Sequence, residues 1–219
     1  MELARQLGGA GWNVLASCRK ATDALSELSA ATRGSVQVVS GVDVAREDGV
    51  RSLHDAVGQV TGKHGPVSLI INNAGVLVRE TGGFEGADVA DIEWQMRINA
   101  FAPLAVTRAL LPFVQAPGGK LAFITSRMGS IADNTSGGMY GYRMSKAALN
   151  AGCVSLARDL APRGISVAIL HPGMVATDMT GSNGIPVEES AAGLLARIEE
   201  TGPECSGMFM HQDGTELPW

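Results

Sequence analysis

Short runs of β-branched and aliphatic residues alternate along the chain with longer segments whose apolar positions recur at helical spacing. The runs that predict strands are Val14–Ser17, Val36–Ser40, Val67–Ile71, Lys120–Thr125, Ile165–Leu170 and a short one near Phe209. The segments that predict helices are Met1–Leu7, Thr22–Ala30, Glu47–Val60, Ile92–Leu111, Tyr142–Leu160 and Val187–Thr201. Continuous apolar strands separated by helices are typical of a parallel sheet covered on both faces. We therefore expect an α/β fold, in one domain spanning residues 1–219.

Composition and charge narrow the classes of partner. The net charge is −5 and no Lys/Arg cluster stands out, which disfavours both nucleic acid and membrane surfaces as partners. No apolar run approaches the ~18 residues of a membrane span, and no signal peptide is visible. Cys18, Cys153 and Cys205 are odd in number and lack metal-ligand spacing. We expect reduced thiols, a cytoplasmic location and no metal.

Polar, glycine and proline residues follow four of the predicted strands. The segments are "DVARED", "NNAGVL", "TSRMGS" and "HPGMVATDM". Ligands of parallel α/β sheets bind beyond the carboxyl ends of the strands, where these four segments meet. The pattern is what a long nucleotide lying along that edge would require.

The chemistry concentrates around Tyr142, Lys146 and Ser126. Tyr142 and Lys146 are four residues apart on a predicted helix, so their side chains share a face. A free phenol has a pKa of about 10, which a nearby ammonium group lowers, so the pair is suited to proton transfer with an alcohol or carbonyl oxygen. Ser126 lies just beyond a strand and is placed to hydrogen-bond the same oxygen. The alternative is an ordinary half-buried tyrosine and a solvated lysine.

Five motifs together resemble the short-chain dehydrogenase/reductase family. They are Asn72-Asn73-Ala74-Gly75, Asn99, Ser126, Tyr142-x-x-x-Lys146 and Pro172-Gly173-x-x-x-Thr177, in this order. The stretch "TSRMGSIADNTSGGMYGYRMSKAALN" and the ending "DGTELPW" look like the C-factor and sniffer-type carbonyl reductases within it. The resemblance covers nearly the whole chain. It implies a Rossmann-like, doubly wound parallel sheet.

The resemblance also implies a role for each residue of the chemical core. Tyr142 is the expected proton donor in carbonyl reduction, and Ser126 is expected to position the substrate carbonyl. Lys146 is expected to lower the pKa of Tyr142 and to bind the nicotinamide ribose hydroxyls. Asn99 is expected to anchor a water that links Lys146 to solvent. The alternative for Asn99 is a polar residue on a helix face.

Further residues are expected to hold the cofactor. The turn Asn73-Ala74-Gly75 lets the backbone approach a flat ligand closely, and Asp43 resembles the residue that contacts the adenine amino group. Pro172 and Gly173 bend the chain after the Ile165–Leu170 strand. Thr177 is expected to bond the nicotinamide carboxamide, and a helix N-cap is its alternative.

The stretch "ASCRK" bears on which nicotinamide cofactor fits. An NAD-preferring site carries Asp or Glu at this strand end, where it bonds the ribose 2′-hydroxyl. Here no acid is present, and Arg19 and Lys20 are placed to bind a 2′-phosphate by charge-assisted hydrogen bonds. We expect NADP(H) to be preferred over NAD(H). An ordinary basic turn is the alternative.

The start of the sequence departs from the family pattern. The family opens with a central strand and a T-G-x-x-x-G-x-G turn that wraps a pyrophosphate at the start of a helix. Here Met1–Leu7 corresponds to that helix, and Gly8-Gly9-Ala10-Gly11 follows the helix instead of opening it. We expect an N-terminally truncated sheet, lower stability and weak NADPH binding. A late start codon, a natural short form, and a Trp12–Ser17 strand that slides into the gap are the three explanations.

The predicted function is NADPH-dependent reduction of a small or lipophilic carbonyl to an alcohol, or the reverse. The alternative is a cofactor-poor, C-factor-like signalling or binding protein that keeps the reductase fold. The family commonly forms homodimers through the helices around Ile92–Leu111 and Tyr142–Leu160. Leu149, Cys153, Leu156 and Leu160 recur at helical spacing and are compatible with such a homodimer, or with a stripe that faces the core.

Overall fold

Six strands alternate with seven α-helices in the computed structural model, which describes residues 1–219. The strands are β1 (Val14–Ser17), β2 (Val36–Val39), β3 (Leu69–Asn72), β4 (Lys120–Ile124), β5 (Ser166–His171) and β6 (Phe209–His211). The helices are α1 (Glu2–Gly9), α2 (Asp23–Ala31), α3 (Glu47–His64), α4 (Val89–Met96), α5 (Ala102–Leu110), α6 (Tyr140–Leu160) and α7 (Val187–Glu200). The predicted α/β alternation is confirmed, with ends that differ by a few residues. No helix has the length and apolar character needed to cross a membrane.

All the paired strands run parallel, as predicted, but they form two sheets. One sheet holds β3, β4, β5 and β6 in that order, and the other pairs β1 with β2 alone. In the larger sheet, Leu121 of β4 pairs with Ile70 on one side and Val167 on the other. The carboxyl ends of β3, β4 and β5 therefore lie side by side.

The core lies on both faces of β4 and β5. Leu121, Phe123, Val167 and Ile169 are fully buried in a cluster that includes residues of α5 and α6. The intervening residues belong to a second cluster with α7, whose members are Ala122, Ile124, Ala168, Leu170, Leu194 and Ile198. Alternate residues of a strand point to opposite faces, so continuous apolar runs are required here.

The apolar stripe on α6 belongs to the core of the chain. Leu149, Cys153 and Leu160 are buried, and Leu156 is partly buried against the same cluster. The core-facing alternative accounts for Leu149, Cys153 and Leu160, and a homodimer through this helix stays a prediction.

No strand lies between the two sheets, which confirms the truncated sheet expected from the sequence. Residues Val14–Ser17 of β1 and Leu69–Asn72 of β3 line one cavity of about 1160 Å³. Leu3 and Leu7 of α1 and Val57 of α3 line it as well. The idea that the Trp12–Ser17 strand slides into the gap is wrong, because β1 pairs with β2 and not with β3.

The long helix predicted over Ile92–Leu111 is interrupted in its middle. α4 and α5 are joined by a π-helical turn at Arg97–Phe101, which carries Asn99. A π turn accommodates one extra residue, and such turns occur frequently at functional sites. The asparagine amide fixes the turn through hydrogen bonds to the backbone after β3.

Candidate active site

Ser126, Tyr142 and Lys146 come together where β4 ends and α6 begins. Ser126 follows β4, and Tyr142 and Lys146 lie one helical turn apart near the start of α6. The Lys146 side chain is buried, and its Nζ donates to the Ile124 carbonyl at 3.0 Å. The same nitrogen lies 5.8 Å from the centroid of the Tyr142 ring. The backbone end of β4 thus holds the ammonium group beside the phenol.

Burial dominates the proton affinity of both titrating groups. It raises the pKa of the Tyr142 phenol above its ordinary value, and the Ser126 hydroxyl partly offsets that rise by hydrogen bonding. Burial also lowers the pKa of Lys146 to about 8. This differs from the expectation that the pKa of Tyr142 is lowered, because desolvation of the phenol is the largest influence on it. A protonated phenol at neutral pH suits a proton donor.

Asn99 is fully buried and connects three parts of the site. Its Oδ1 accepts from the Val76 N–H at 2.8 Å, and its Nδ2 donates to the Val76 carbonyl at 2.9 Å. Nδ2 also donates to Ser145 Oγ at 3.0 Å, and that hydroxyl donates to the Tyr142 carbonyl at 2.8 Å. Because protein atoms engage both amide protons and the oxygen, the side chain joins the segment after β3 to α6. The expected water link to Lys146 stays a prediction.

The large cavity reaches several residues expected to hold a cofactor. Its lining includes Arg19, Asp43, Asn73, Ala74 and Gly75. A Cβ at Gly75 would lie 3.4 Å from Asn99 Oδ1 and 3.6 Å from Lys146 Nζ. Gly75, which lines the cavity, is therefore close to both the Asn99 and the Lys146 side chains.

Arg19 and Asp43 lie close to the carboxyl ends of β1 and β2. The Arg19 carbonyl accepts from the Gly41 N–H at 3.0 Å, and the Arg19 residue is exposed. Asp43 Oδ1 accepts from the Ala45 N–H at 3.0 Å, which leaves its second carboxylate oxygen for another partner. Both positions are compatible with the predicted contacts to the adenosine end of a cofactor.

Pro172, Gly173 and Thr177 follow β5. Gly173 has φ of 81°, a conformation that favours glycine, and the Pro172 carbonyl accepts from Ser190 Oγ at 2.7 Å. Thr177 is exposed and precedes a 3₁₀ turn at Asp178–Thr180, where its N–H donates to Thr180 Oγ1 at 3.1 Å. The helix-start alternative for Thr177 is therefore present, and its contact with a carboxamide stays a prediction.

Two residues near the site, Glu80 and Gln95, were not identified from the sequence. Glu80 accepts hydrogen bonds from two N–H groups at the start of α6, and the fully buried Gln95 accepts from the Val78 N–H. Their partners are 17 to 61 residues away along the chain. No local pattern in the sequence signals such contacts.

A family model for short chain dehydrogenases matches residues 1–186. The chain belongs to this family. It is 40% identical over 222 residues to 1-hydroxy-2-glutathionyl-2-methyl-3-butene dehydrogenase of Rhodococcus sp. strain AD45, covering 99% of this chain and 93% of the relative. It is 47% identical over 157 residues to the C-signal protein of Myxococcus xanthus, covering 71% of this chain and 94% of that protein.

Solved structures of carbonyl reductases share the fold. The carbonyl reductase Sniffer of D. melanogaster superposes with a TM-score of 0.87 at 30% identity, over 94% of this chain and 87% of that chain. The NADPH-bound carbonyl reductase from chicken fatty liver superposes with a TM-score of 0.86 at 26% identity, over 98% of this chain and 94% of that chain. The chain is therefore a short-chain dehydrogenase/reductase enzyme of the class that uses a nicotinamide cofactor.

The residues of this chain fit the two ends of such a cofactor, the adenosine portion and the ribose next to the nicotinamide. The cavity is lined by Arg19, Asp43 and Gly75, and Gly75 lies next to Lys146 Nζ. A Cβ at Gly75 would narrow the approach to the lysine. Arg19 and Asp43 would hold the adenosine portion, and Lys146 would bind the ribose next to the nicotinamide.

Proposed function

We propose that this enzyme reduces a carbonyl compound to an alcohol with NADPH, or catalyses the reverse reaction. The observation that carries the proposal is the half-buried phenol of Tyr142 next to Ser126, with the Lys146 ammonium group held close to its ring. Few arrangements place a protonated phenol, a hydroxyl and a cation at the carboxyl edge of a parallel sheet. That edge is where such sheets bind their ligands.

Each side chain has a distinct task in the proposed reaction. Ser126 donates a hydrogen bond to the substrate carbonyl oxygen and so orients it. Tyr142 transfers its proton to that oxygen as the carbonyl carbon is reduced. The Lys146 charge then stabilises the resulting phenolate. The reduced nicotinamide, when bound, supplies the hydride that the carbon accepts.

The basic residues after β1 support a preference for NADPH over NADH. Arg19 and Lys20 are both exposed and border the cavity, and the end of β1 carries no carboxylate. Arginine forms paired, charge-assisted hydrogen bonds with phosphate. A 2′-phosphate therefore finds cations at this position, whereas a 2′-hydroxyl lacks its usual acceptor.

Exposed apolar side chains around the site support a lipophilic substrate. Phe84, Ile131 and Met174 belong to the loops after β3, β4 and β5, and each is more than half exposed. Apolar residues on the loops that follow strand ends offer apolar contacts to a ligand bound at that edge of the sheet. The Rhodococcus relative is named for oxidation of an alcohol, so both directions belong in the assay.

The test is turnover of a panel of aldehydes, ketones and quinones, with NADPH and NADH compared. Tyr142→Phe removes the transferable proton, and we expect turnover to fall at least about 100-fold. Tyr140→Phe is the matched control, because Tyr140 lies two residues earlier in the same helix and is expected to keep its activity. Full activity of Tyr142→Phe would show that the proposed mechanism is wrong.

The second candidate is a signalling or binding protein without turnover. The 47% identity to the C-signal protein supports it. Calorimetric titration of the 219-residue chain with NADPH separates the two candidates. Saturable binding at micromolar concentration contradicts the cofactor-free role, and the absence of both binding and turnover contradicts the reductase.

A further inference from the structure

The helix that carries Tyr142 begins without a cap from its own sequence. The residue before it, Met139, has φ of 57° and provides no side-chain hydrogen bond to the first turn. The first N–H groups of a helix have no partner within the helix and need one from elsewhere. In α6 the partner for the first two of these N–H groups is the Glu80 carboxylate. Its Oε2 accepts from the Tyr140 N–H and its Oε1 accepts from the Gly141 N–H, both at 2.9 Å.

The two hydrogen bonds hold the residues directly before Tyr142. One carboxylate bound to two successive N–H groups fixes both the height and the rotation of the first turn. A negative charge at a helix N-terminus is also favourable, because the N–H dipoles point towards it. The position of the Tyr142 hydroxyl relative to Ser126 depends on that rotation.

Glu80 ends an extended segment that is fixed at alternate residues. Val76 is bound by Asn99 through both its N–H and its carbonyl, and the Val78 N–H donates to Gln95 Oε1 at 3.1 Å. Glu80, two residues further on, reaches α6. The segment is therefore anchored to the π turn at its first residue, to α4 at its third and to the catalytic helix at its fifth.

Gly141 is also in close contact with α4. A Cβ at this position would lie 2.3 Å from Gln95 Nε2 and 3.1 Å from the Ile92 Cα atom. The first turn of α6 is therefore in close contact with α4 and is also bonded to the Glu80 carboxylate. Both contacts act on Gly141, the residue directly before Tyr142.

We propose that Glu80 is a positioning residue for Tyr142, acting by capping the catalytic helix from the loop after β3. This inference rests on the proposed function, in which Tyr142 transfers the proton. The carboxylate is required because both of its oxygens accept. An amide at this position offers one acceptor and turns an N–H group towards a backbone N–H.

The first test compares Glu80→Ala and Glu80→Gln with Glu85→Ala in the 219-residue chain. Glu85 is exposed in the same loop and has the same charge, but it does not bond to α6. We expect kcat to fall about 10- to 100-fold in Glu80→Ala, the scale of a displacement near 1 Å, with a smaller fall in Glu80→Gln. The KM for NADPH should change little, and Glu85→Ala should match the parent.

The double variant Glu80→Ala/Tyr142→Phe separates positioning from a general structural role. If Glu80 acts through Tyr142, its replacement should not lower the residual turnover of Tyr142→Phe any further. The proposal would be overturned if Glu80→Ala lowered the turnover of Tyr142→Phe by the same factor as it lowers the turnover of the parent. Full turnover of Tyr142→Phe alone would instead refute the proposed function.

The second test does not depend on turnover, because the chain has only two tyrosines. In Tyr140→Phe protein, the ultraviolet absorbance of phenolate reports Tyr142 alone. Glu80→Ala should lower the pKa of Tyr142 towards that of a free phenol, because the first turn is released and the ring becomes more hydrated. If Glu80→Ala does not fold, the same titration is made with Glu80→Gln. An unchanged titration in the folded variant would overturn the proposal.

Discussion

At the scale of single residues, the site depends on a lysine that the protein buries at a cost. The Lys146 residue is 4% exposed, and its Nζ has the Ile124 carbonyl as a hydrogen-bond partner but no carboxylate. Desolvation lowers its pKa from an ordinary value near 10.5 to about 8. Below pH 8 the folded state carries the whole penalty of a buried charge.

Replacing this lysine should therefore change the pH dependence of stability. Between pH 8 and 10.5 the unfolded chain holds the Lys146 proton more tightly than the folded chain, so the free energy of unfolding rises with pH. Lys146→Met lacks this contribution, which is worth about 3 kcal/mol across the interval. In urea unfolding, the free energy of unfolding of the parent relative to that of the variant should be larger at pH 10 than at pH 7.

The control for this measurement is Lys63→Met, at an exposed lysine in α3. The free energy of unfolding of Lys63→Met should differ from that of the parent by the same amount at both pH values. A constant difference for Lys146→Met as well would mean that Lys146 is not desolvated in solution.

The proximity of Ser126, Tyr142 and Lys146 could be predicted from the sequence, but the environment of each side chain could not. Ser126, Tyr142 and Lys146 meet as their spacing predicts, because a strand end and one helical turn fix their positions locally. The pKa of Tyr142 was expected to fall and is raised, since burial depends on what the rest of the chain packs around the ring. Glu80 has no local signal, because its partner is 60 residues away.

At the scale of elements, α4 packs closely against the start of α6, the helix that carries Tyr142. Gly141 provides the room for the buried Gln95 side chain. The alternation of strands and helices was predictable because periodicity is local. The π turn at Arg97–Phe101 was not, because it is fixed by hydrogen bonds of Asn99 to Val76, which lies 23 residues away along the chain.

The close approach at Gly141 predicts the effect of one methyl group. Gly141→Ala should destabilise the fold by about 1–3 kcal/mol, because the added carbon overlaps a side chain that has no free space. Turnover should fall as well, since Tyr142 is the next residue. Thermal unfolding and kcat measured together would check both effects.

Gly152→Ala is the matched control in the same helix. Its Cβ would lie 3.1 Å from Leu104 Cδ1, the end of a flexible side chain. Alanine is favoured over glycine within helices by up to about 1 kcal/mol. Gly152→Ala should be neutral or stabilising, and equal losses in the two variants would contradict the packing argument.

At the scale of the whole molecule, the two sheets differ in how much core supports them. The 19-residue apolar cluster includes residues of β3, β4, β5 and β6, whereas β1 contributes only the partly buried Leu15 and β2 only the partly buried Val39. β1 and β2 pair only with each other, and the cavity separates β1 from β3. Opening residues 12–40 therefore exposes little of the main core.

Hydrogen exchange should reveal this difference. Amides of β1 and β2 should exchange through local opening, while those of β4 and β5 should exchange only through global unfolding. Mass spectrometry of peptides from residues 12–40 and 118–171 at several urea concentrations would separate the two processes. The same protection and urea dependence in both regions would show one cooperative unit.

The gap between the sheets also affects how this polypeptide behaves at high concentration. β1 and β3 each present a row of backbone donors and acceptors to the cavity, and exposed edges of this kind recruit strands from other molecules. A net charge of −5 gives only modest colloidal repulsion against such contacts. Aggregation of the 219-residue chain should therefore begin at these two edges.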